Sequence, residues 1–127
     1  MKDTTKLKVF LADTYALIEL LGGNLNYKPY LDHTLITTQF NLIELYYHFL
    51  HNYGKKTADK YLHLYSKFTI PITYSSIKDA MEFKLKHKEE KLSYVDCVGY
   101  ALALELGIRF LTGDGKFKNK PNVEFVK

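Results

Sequence analysis

The stretch KVFLADTYALI, residues 8–18, decides how this chain folds. Its apolar start, from Leu7 to Ala12, is short enough for a strand and carries no alternation of polar and apolar residues. A strand with that pattern is buried on both faces, as in a parallel sheet covered by helices on either side. The helical spacing begins at Thr14 and runs to about Leu21, where Gly22 and Gly23 stop it. Asp13 stands at the junction, and a buried unpaired carboxylate either costs several kcal/mol or takes up a proton.

Outward from this unit the same alternation continues. Residues 24–33 read as a loop or short helix broken by Pro29, and Thr34–Thr37 as a second strand. A strongly apolar helix is predicted over Gln39–Asn52, closed at Gly54, and another over Lys55–Lys67 with Ala58, Tyr61, Leu62 and Tyr65 on one face. Phe68–Thr73 reads as a third strand, in which Pro71 argues against a regular interior position. Ser75–Glu90 is the most solvent-facing helix, with Lys78/Glu82 and Lys86/Glu90 four residues apart. A helix of small residues follows over Val95–Leu106, ended by Gly107, and then come strands at Ile108–Leu111 and Val123–Val126. The expected class is α/β: a three-layer α/β/α sandwich around a five-stranded parallel sheet, Rossmann-like, in one domain over residues 1–127. Ligands of such sheets bind beyond the C-terminal ends of the strands, where the strand order reverses.

Three further carboxylates interrupt apolar segments as Asp13 does. They are Glu44 in FNLIELYYHFL, Asp96 in LSYVDCVGYALAL and Asp114 in IRFLTGDGKF. Glu44 is the only formally charged residue between His33 and Gly54 when histidine is neutral. Four acids in apolar surroundings make physical sense when they converge on a positive object, and the simplest is a hard divalent cation, Mg2+ or Mn2+. Such ions neutralise a phosphodiester and activate water, so the pattern points to phosphate-ester chemistry. Each acid also has a plain structural use. Asp13 suits a helix N-cap, Ser93 to Asp96 has capping-box spacing, Asp114 suits a tight turn, and Glu44 could pair with a buried lysine or tyrosine hydroxyl. A cap can offer one oxygen to the backbone and the other to an ion. Thr14, Asn41, Ser93 and Thr112, beside the acids, are candidates for orienting them or positioning water, and Thr38 reads as a cap.

Composition narrows the class. The chain has 127 residues, 46% hydrophobic and 25% charged, which fits a folded globule and excludes a disordered chain. Its formal charge is +4, and the basic excess gathers in Lys55–Lys91, with nine lysines against five acids, and after Gly115. A basic field around an acidic pocket suits a polyanionic substrate, and Lys116 and Lys118 are candidate contacts to its phosphate backbone. One cysteine, Cys97, excludes an internal disulfide and a cysteine-rich zinc site, and it has no activating histidine nearby in sequence. There is no Gly-rich phosphate loop, no signal-peptide pattern and no apolar stretch near the ~20 residues that span a bilayer, so a cytoplasmic location without membrane contact is expected.

The ordered set FLADTYALI, NLIEL, LSYVDCVGYALALELG and FLTGDGKF, spanning Lys8 to Phe117, resembles the PIN-domain family, in particular its VapC-type toxin ribonucleases. The resemblance implies that Asp13, Glu44, Asp96 and Asp114 are catalytic, metal-binding acids and that Thr112 is the hydroxyl residue before the last of them. It further implies a homodimer, Mg2+ or Mn2+, endonucleolytic cleavage of RNA, and a cognate antitoxin whose tail occupies the active-site groove. Two positions depart from the pattern. Lys116 stands where many relatives carry another acid, and Tyr15 where a small hydroxyl residue is usual. The expected function is therefore a metal-dependent endoribonuclease, the toxin of a type II toxin–antitoxin pair. The alternatives are a PIN nuclease of RNA maturation and a catalytically silent RNA-binding or protein-interaction module. A receiver-like phosphoacceptor is disfavoured by the lone acid after the first strand.

Overall fold

The computed structural model describes residues 6–127, so the first five residues of the expected domain lie outside the described residues. Strand β1 (Val9–Ala12) sends Phe10 and Ala12 to one apolar cluster and Leu11 to the other, as the two-residue period of a strand requires. Both faces stay dry because helices cover both. Helices α1 (Thr14–Leu21), α2 (Gln39–Tyr53) and α3 (Lys55–Ser66) pack on the Phe10 side, and α4 (Tyr74–Lys86) and α5 (Tyr94–Leu106) on the Leu11 side. Strands β2 (Thr34–Ile36), β3 (Arg109–Thr112) and β4 (Val123–Phe125) complete a parallel sheet in the order β2-β1-β3-β4. The three-layer sandwich is as expected.

The sheet has four strands rather than five. The segment expected as a strand, Phe68–Thr73, pairs only through a single parallel bridge from Thr69 to Thr37. The Thr37 N–H donates to the Phe68 carbonyl, and the Ile70 N–H donates to the Thr37 carbonyl, both at 3.0 Å. The pairing goes no further than this one bridge. The chain then turns into α4, which Thr73 and Ser76 start with a full capping box. The helix expected over Ser75–Glu90 also divides: α4 stops at Lys86, Lys88–Glu90 form a separate 3-10 turn, and Lys91 takes a left-handed conformation. Residues Leu25–Asp32 form a 3-10 segment pinned to the far end of the chain, where the Tyr27 hydroxyl donates to the Val126 carbonyl at 2.6 Å.

This topology creates the crevice. From β1 the chain moves to β2 on one side and, after four helices, returns on the other side as β3. The strand order therefore reverses between β1 and β3, which is where ligands enter sheets of this kind. Helix α5 lies close against these two strands because Gly99 has no Cβ; one added there would stand 3.0 Å from the Phe110 ring. Of the helical aromatic residues, Phe49 and Tyr65 are core, Tyr46 and Tyr61 are half-buried, and Phe40 and Tyr47 remain exposed. Among the described residues no helix is long and apolar enough to cross a membrane.

Candidate active site

Asp13 directly follows β1 and opens α1. Its N–H continues the β1–β3 ladder by donating to the Leu111 carbonyl at 3.1 Å, while its Oδ1 accepts from the Ala16 N–H at 2.8 Å as the helix cap. Its Oδ2 accepts from the Thr112 hydroxyl. The side chain is only 1% exposed. Burial pushes its carboxyl up to about 7, and the charges of Asp96 and Asp114 add to that, against the hydrogen bonds from Thr112 and Ala16. The cap and the pocket are thus one residue, and its structural duty does not exhaust its oxygens.

Thr112 joins the two strand ends. The same hydroxyl that donates to Asp13 accepts from the Asp114 N–H at 3.0 Å. Asp114 in turn caps the 3-10 turn Gly115–Phe117, its Oδ1 accepting from the Lys116 N–H at 3.0 Å. A single side chain therefore sets the first acid relative to the last.

Asp96 enters from the first turn of α5. Ser93 caps that helix by accepting from the Asp96 N–H at 3.0 Å, which is half of the capping box expected from the spacing; α4 alone carries a complete box. Burial raises the Asp96 carboxyl to about 6, with Asp114 and Glu44 raising it further, while Ser93 and Lys116 draw it down. Glu44, half-buried on α2, is held by a relay of hydroxyl and amide groups. The Thr38 hydroxyl donates to Asn41 Oδ1 at 2.7 Å, Asn41 Nδ2 to the Thr14 hydroxyl at 3.2 Å, and Thr14 Oγ1 to Glu44 Oε1 at 2.6 Å. The relay starts in the cap of α2 and ends on its acid, so the partner of Glu44 is a threonine hydroxyl rather than a lysine or tyrosine.

The four acids sit on four separate elements and are linked pairwise by charge: Asp13 feels Asp96 and Asp114, and Asp96 feels Asp114 and Glu44. As they stand, no three His, Cys, Asp or Glu side chains among the described residues are grouped to hold one metal ion. Three of the four carboxylates accept from donors of their own: Asp13 from Ala16 and Thr112, Glu44 from Thr14, and Asp114 from Lys116. The donor chemistry nevertheless fits a hard divalent cation, because the pocket offers carboxylate oxygens, with neither imidazole nor thiolate among its expected ligands. Cys97 is fully buried and its thiol is pushed up to about 11, chiefly by burial, so it is no nucleophile.

The lysines divide. Lys116 stands beside the pocket and Lys118 places its ammonium 5.8 Å over the Phe125 ring. Gly113 was legible in the sequence only as part of a turn. In the structure its Cα lies against the Tyr15 ring and the Val126 carbonyl, with no room for a side chain. Nothing short of the tertiary contact marks that position, although Tyr15 was visible as an unusual residue.

The PIN domain family model matches residues 10–123. No match was found among curated proteins. Among solved structures, VapC20 of Mycobacterium tuberculosis, a sarcin-ricin loop cleaving toxin, superimposes with a TM-score of 0.77 at 20% identity, over 94% of this chain and 100% of that one. VapBC2 of Rickettsia felis, crystallised with a DNA fragment from its promoter, gives 0.73 at 17% identity over 94% and 99% of the two chains. A toxin–antitoxin complex from Klebsiella pneumoniae gives 0.70 at 19% identity over 91% and 95%. At these identities the likeness is one of fold.

Proposed function

The chain belongs to the PIN-domain family, and on that premise we propose that it is a metal-dependent endoribonuclease serving as the toxin of a toxin–antitoxin pair. What supports the proposal is the pairwise coupling of Asp13 with Asp96 and Asp114, and of Asp96 with Asp114 and Glu44, in a fold whose strand order reverses between β1 and β3. These four would hold Mg2+ or Mn2+. When bound, such an ion supplies Lewis acidity toward a phosphodiester oxygen and makes water a better nucleophile. The protein's own part is orientation. Thr112 fixes the Asp13 carboxylate and the Asp114 backbone together, and the relay from Thr38 through Asn41 and Thr14 keeps Glu44 facing the crevice. Ser93 fixes the first turn of α5 and thereby the direction of Asp96. The lysine-rich surface draws the RNA, with Lys116 and Lys118 nearest the last acid in sequence.

The test is cleavage of a mixed RNA substrate in Mg2+, Mn2+ and EDTA. We expect cleavage in either metal and a loss of at least ~100-fold in EDTA, restored by excess Mn2+. Undiminished cleavage in EDTA would rule out the mechanism. A folded protein that cleaves nothing in either metal would instead favour the silent binding module.

Partners follow the same reading. The Klebsiella pneumoniae neighbour is a toxin–antitoxin complex, and we propose an antitoxin and a second copy of this chain as partners here. Exposed Phe40, Ile43, Tyr47 and Leu50 run along α2 at helical spacing and offer apolar surface for protein contact. Sedimentation of the isolated chain is expected to give the mass of two copies; a single-chain mass at every concentration would exclude the dimer.

A further inference from the structure

An aromatic ring stands in solvent next to two of the acids. Tyr94 is the first residue of α5, two residues before Asp96 and in the same helical turn, and it is 65% exposed. It belongs to neither apolar cluster. The Lys84 ammonium lies 4.7 Å from the centre of its ring and donates to the Leu92 carbonyl. One side of the ring therefore rests on a cation that is itself anchored to the loop before α5. That loop meets the turn of Asp114, because the Lys116 ammonium donates to the Lys91 carbonyl at 3.2 Å and Lys120 pairs with Glu90 at 2.6 Å. Lys91, Ser93, Tyr94, Gly115 and Lys116 are all exposed. A ring and two lysines thus share one rim, with Tyr94 two residues from Asp96 and Lys116 two residues from Asp114.

Resting on the reading of this site as one that cleaves RNA, we propose that Tyr94 is a platform on which an unpaired base of the substrate stacks, which makes single-stranded RNA the substrate class. A ring held on one side and open to water elsewhere offers its π face to a base. The ordering cost is small, because Lys84 already fixes the ring. A duplex keeps its bases in their own stack and gives one to the ring only by unpairing it. Lys91 and Lys116, on the same rim, attract the phosphates that flank that base. One helical turn rises about 5.4 Å, so a strand with a phosphate at Asp96 has a base within reach of Tyr94 about one or two nucleotides away. Tyr94 then acts on substrate binding and on the choice of cleavage position, and takes no part in breaking the bond.

Binding reads this without any cleavage. The probe is a short unstructured RNA carrying 2-aminopurine, whose fluorescence falls on stacking, at one position at a time. It is titrated with the native chain, Tyr94→Phe and Tyr94→Leu, in EDTA and again in Ca2+. Tyr94 is exposed, so neither change touches the core, and circular dichroism checks each fold. We expect quenching by the native chain and Tyr94→Phe at one position of the bound strand. Tyr94→Leu should lose that quenching and bind about tenfold more weakly, with the salt dependence of binding unchanged. An abasic nucleotide at the quenched position should weaken native binding by a similar factor and leave Tyr94→Leu unaffected, and duplex RNA should bind native and Tyr94→Leu alike. Native-level binding by Tyr94→Leu, a loss as large in Tyr94→Phe, or abasic and Tyr94→Leu losses that simply add would each overturn the proposal while leaving the site's RNA reading intact. A native chain that binds no RNA in either condition removes that reading, and this proposal falls with it.

Discussion

Asp13→Asn is expected to lower RNA cleavage by about three orders of magnitude while raising the melting temperature of the protein in EDTA at pH 8. The two effects have one cause. Asp13 is the most buried of the four acids, and its carboxyl is pushed up to about 7 from an ordinary value of 3.8, chiefly by burial and then by Asp96 and Asp114. A carboxyl whose folded value lies above its unfolded value adds stability that is fully present below about pH 4 and is lost as the pH rises through about 7. Above that range the native protein, without metal, holds a buried charge at a cost of about 4 kcal/mol. Asparagine is neutral at every pH, can still cap α1 through its carbonyl oxygen, and can donate its amide to Thr112. The variant should therefore show a smaller fall in melting temperature between pH 5 and pH 8 than the native protein is expected to show in EDTA, because of the two raised carboxyls only that of Asp96, at about 6, is left to titrate. Native-level cleavage by Asp13→Asn would remove this residue from the site. Equal pH slopes in the two proteins would mean that its carboxyl carries no such strain.

Gly113→Ala should unfold the site from the other end. A Cβ at this position would stand 2.5 Å from the Val126 carbonyl oxygen and would press into the Tyr15 ring. The carbonyl cannot retreat easily, because the Val126 N–H is bonded to the Thr112 carbonyl at 2.9 Å and the Val126 carbonyl accepts from Tyr27 at 2.6 Å. Such overpacking costs about 3 kcal/mol, equivalent to a fall of roughly 10 °C in melting temperature for a chain of this size. Because Gly113 lies between Thr112 and Asp114, cleavage should fall with stability. Gly115→Ala is the internal control: nothing lies within 4 Å of a Cβ there, and its effect should stay within about 0.5 kcal/mol. Trimming Tyr15 to alanine alongside Gly113→Ala should restore only part of the loss, since the Val126 carbonyl remains. A Gly113→Ala protein as heat-stable as Gly115→Ala would show that the backbone here yields.

Much of this molecule was legible in the amino-acid sequence because burial leaves a periodic mark. The runs at 7–12 and 108–111 said parallel strands covered on both faces, and the structure has strands at Val9–Ala12 and Arg109–Thr112, with Phe10 and Ala12 on one side of the sheet and Leu11 on the other. The four acids were legible for the complementary reason: a carboxylate in an apolar run is costly, so its presence demands a local explanation. Caps carried by Asp13, Thr38 and Ser93 were readable too, since a cap bonds to a backbone group two or three residues away.

What only the tertiary structure decided are relations between segments that share no local signal. The sequence could not say that β1 and β3 are neighbours, and that pairing alone puts Asp13 beside Thr112 and Asp114. The β-rich composition of Phe68–Thr73 suggested a strand, but a strand needs a partner along its length, and this segment meets the end of β2 at one bridge only. The span of Lys116 from Asp114 to Lys91 and the closeness of Gly113 to Val126 depend on loops brought together by packing. Apolar periodicity records how each segment meets solvent, which is a property of that segment. Which segments then meet one another is set by the whole chain's burial at once, and no single stretch of it carries that information.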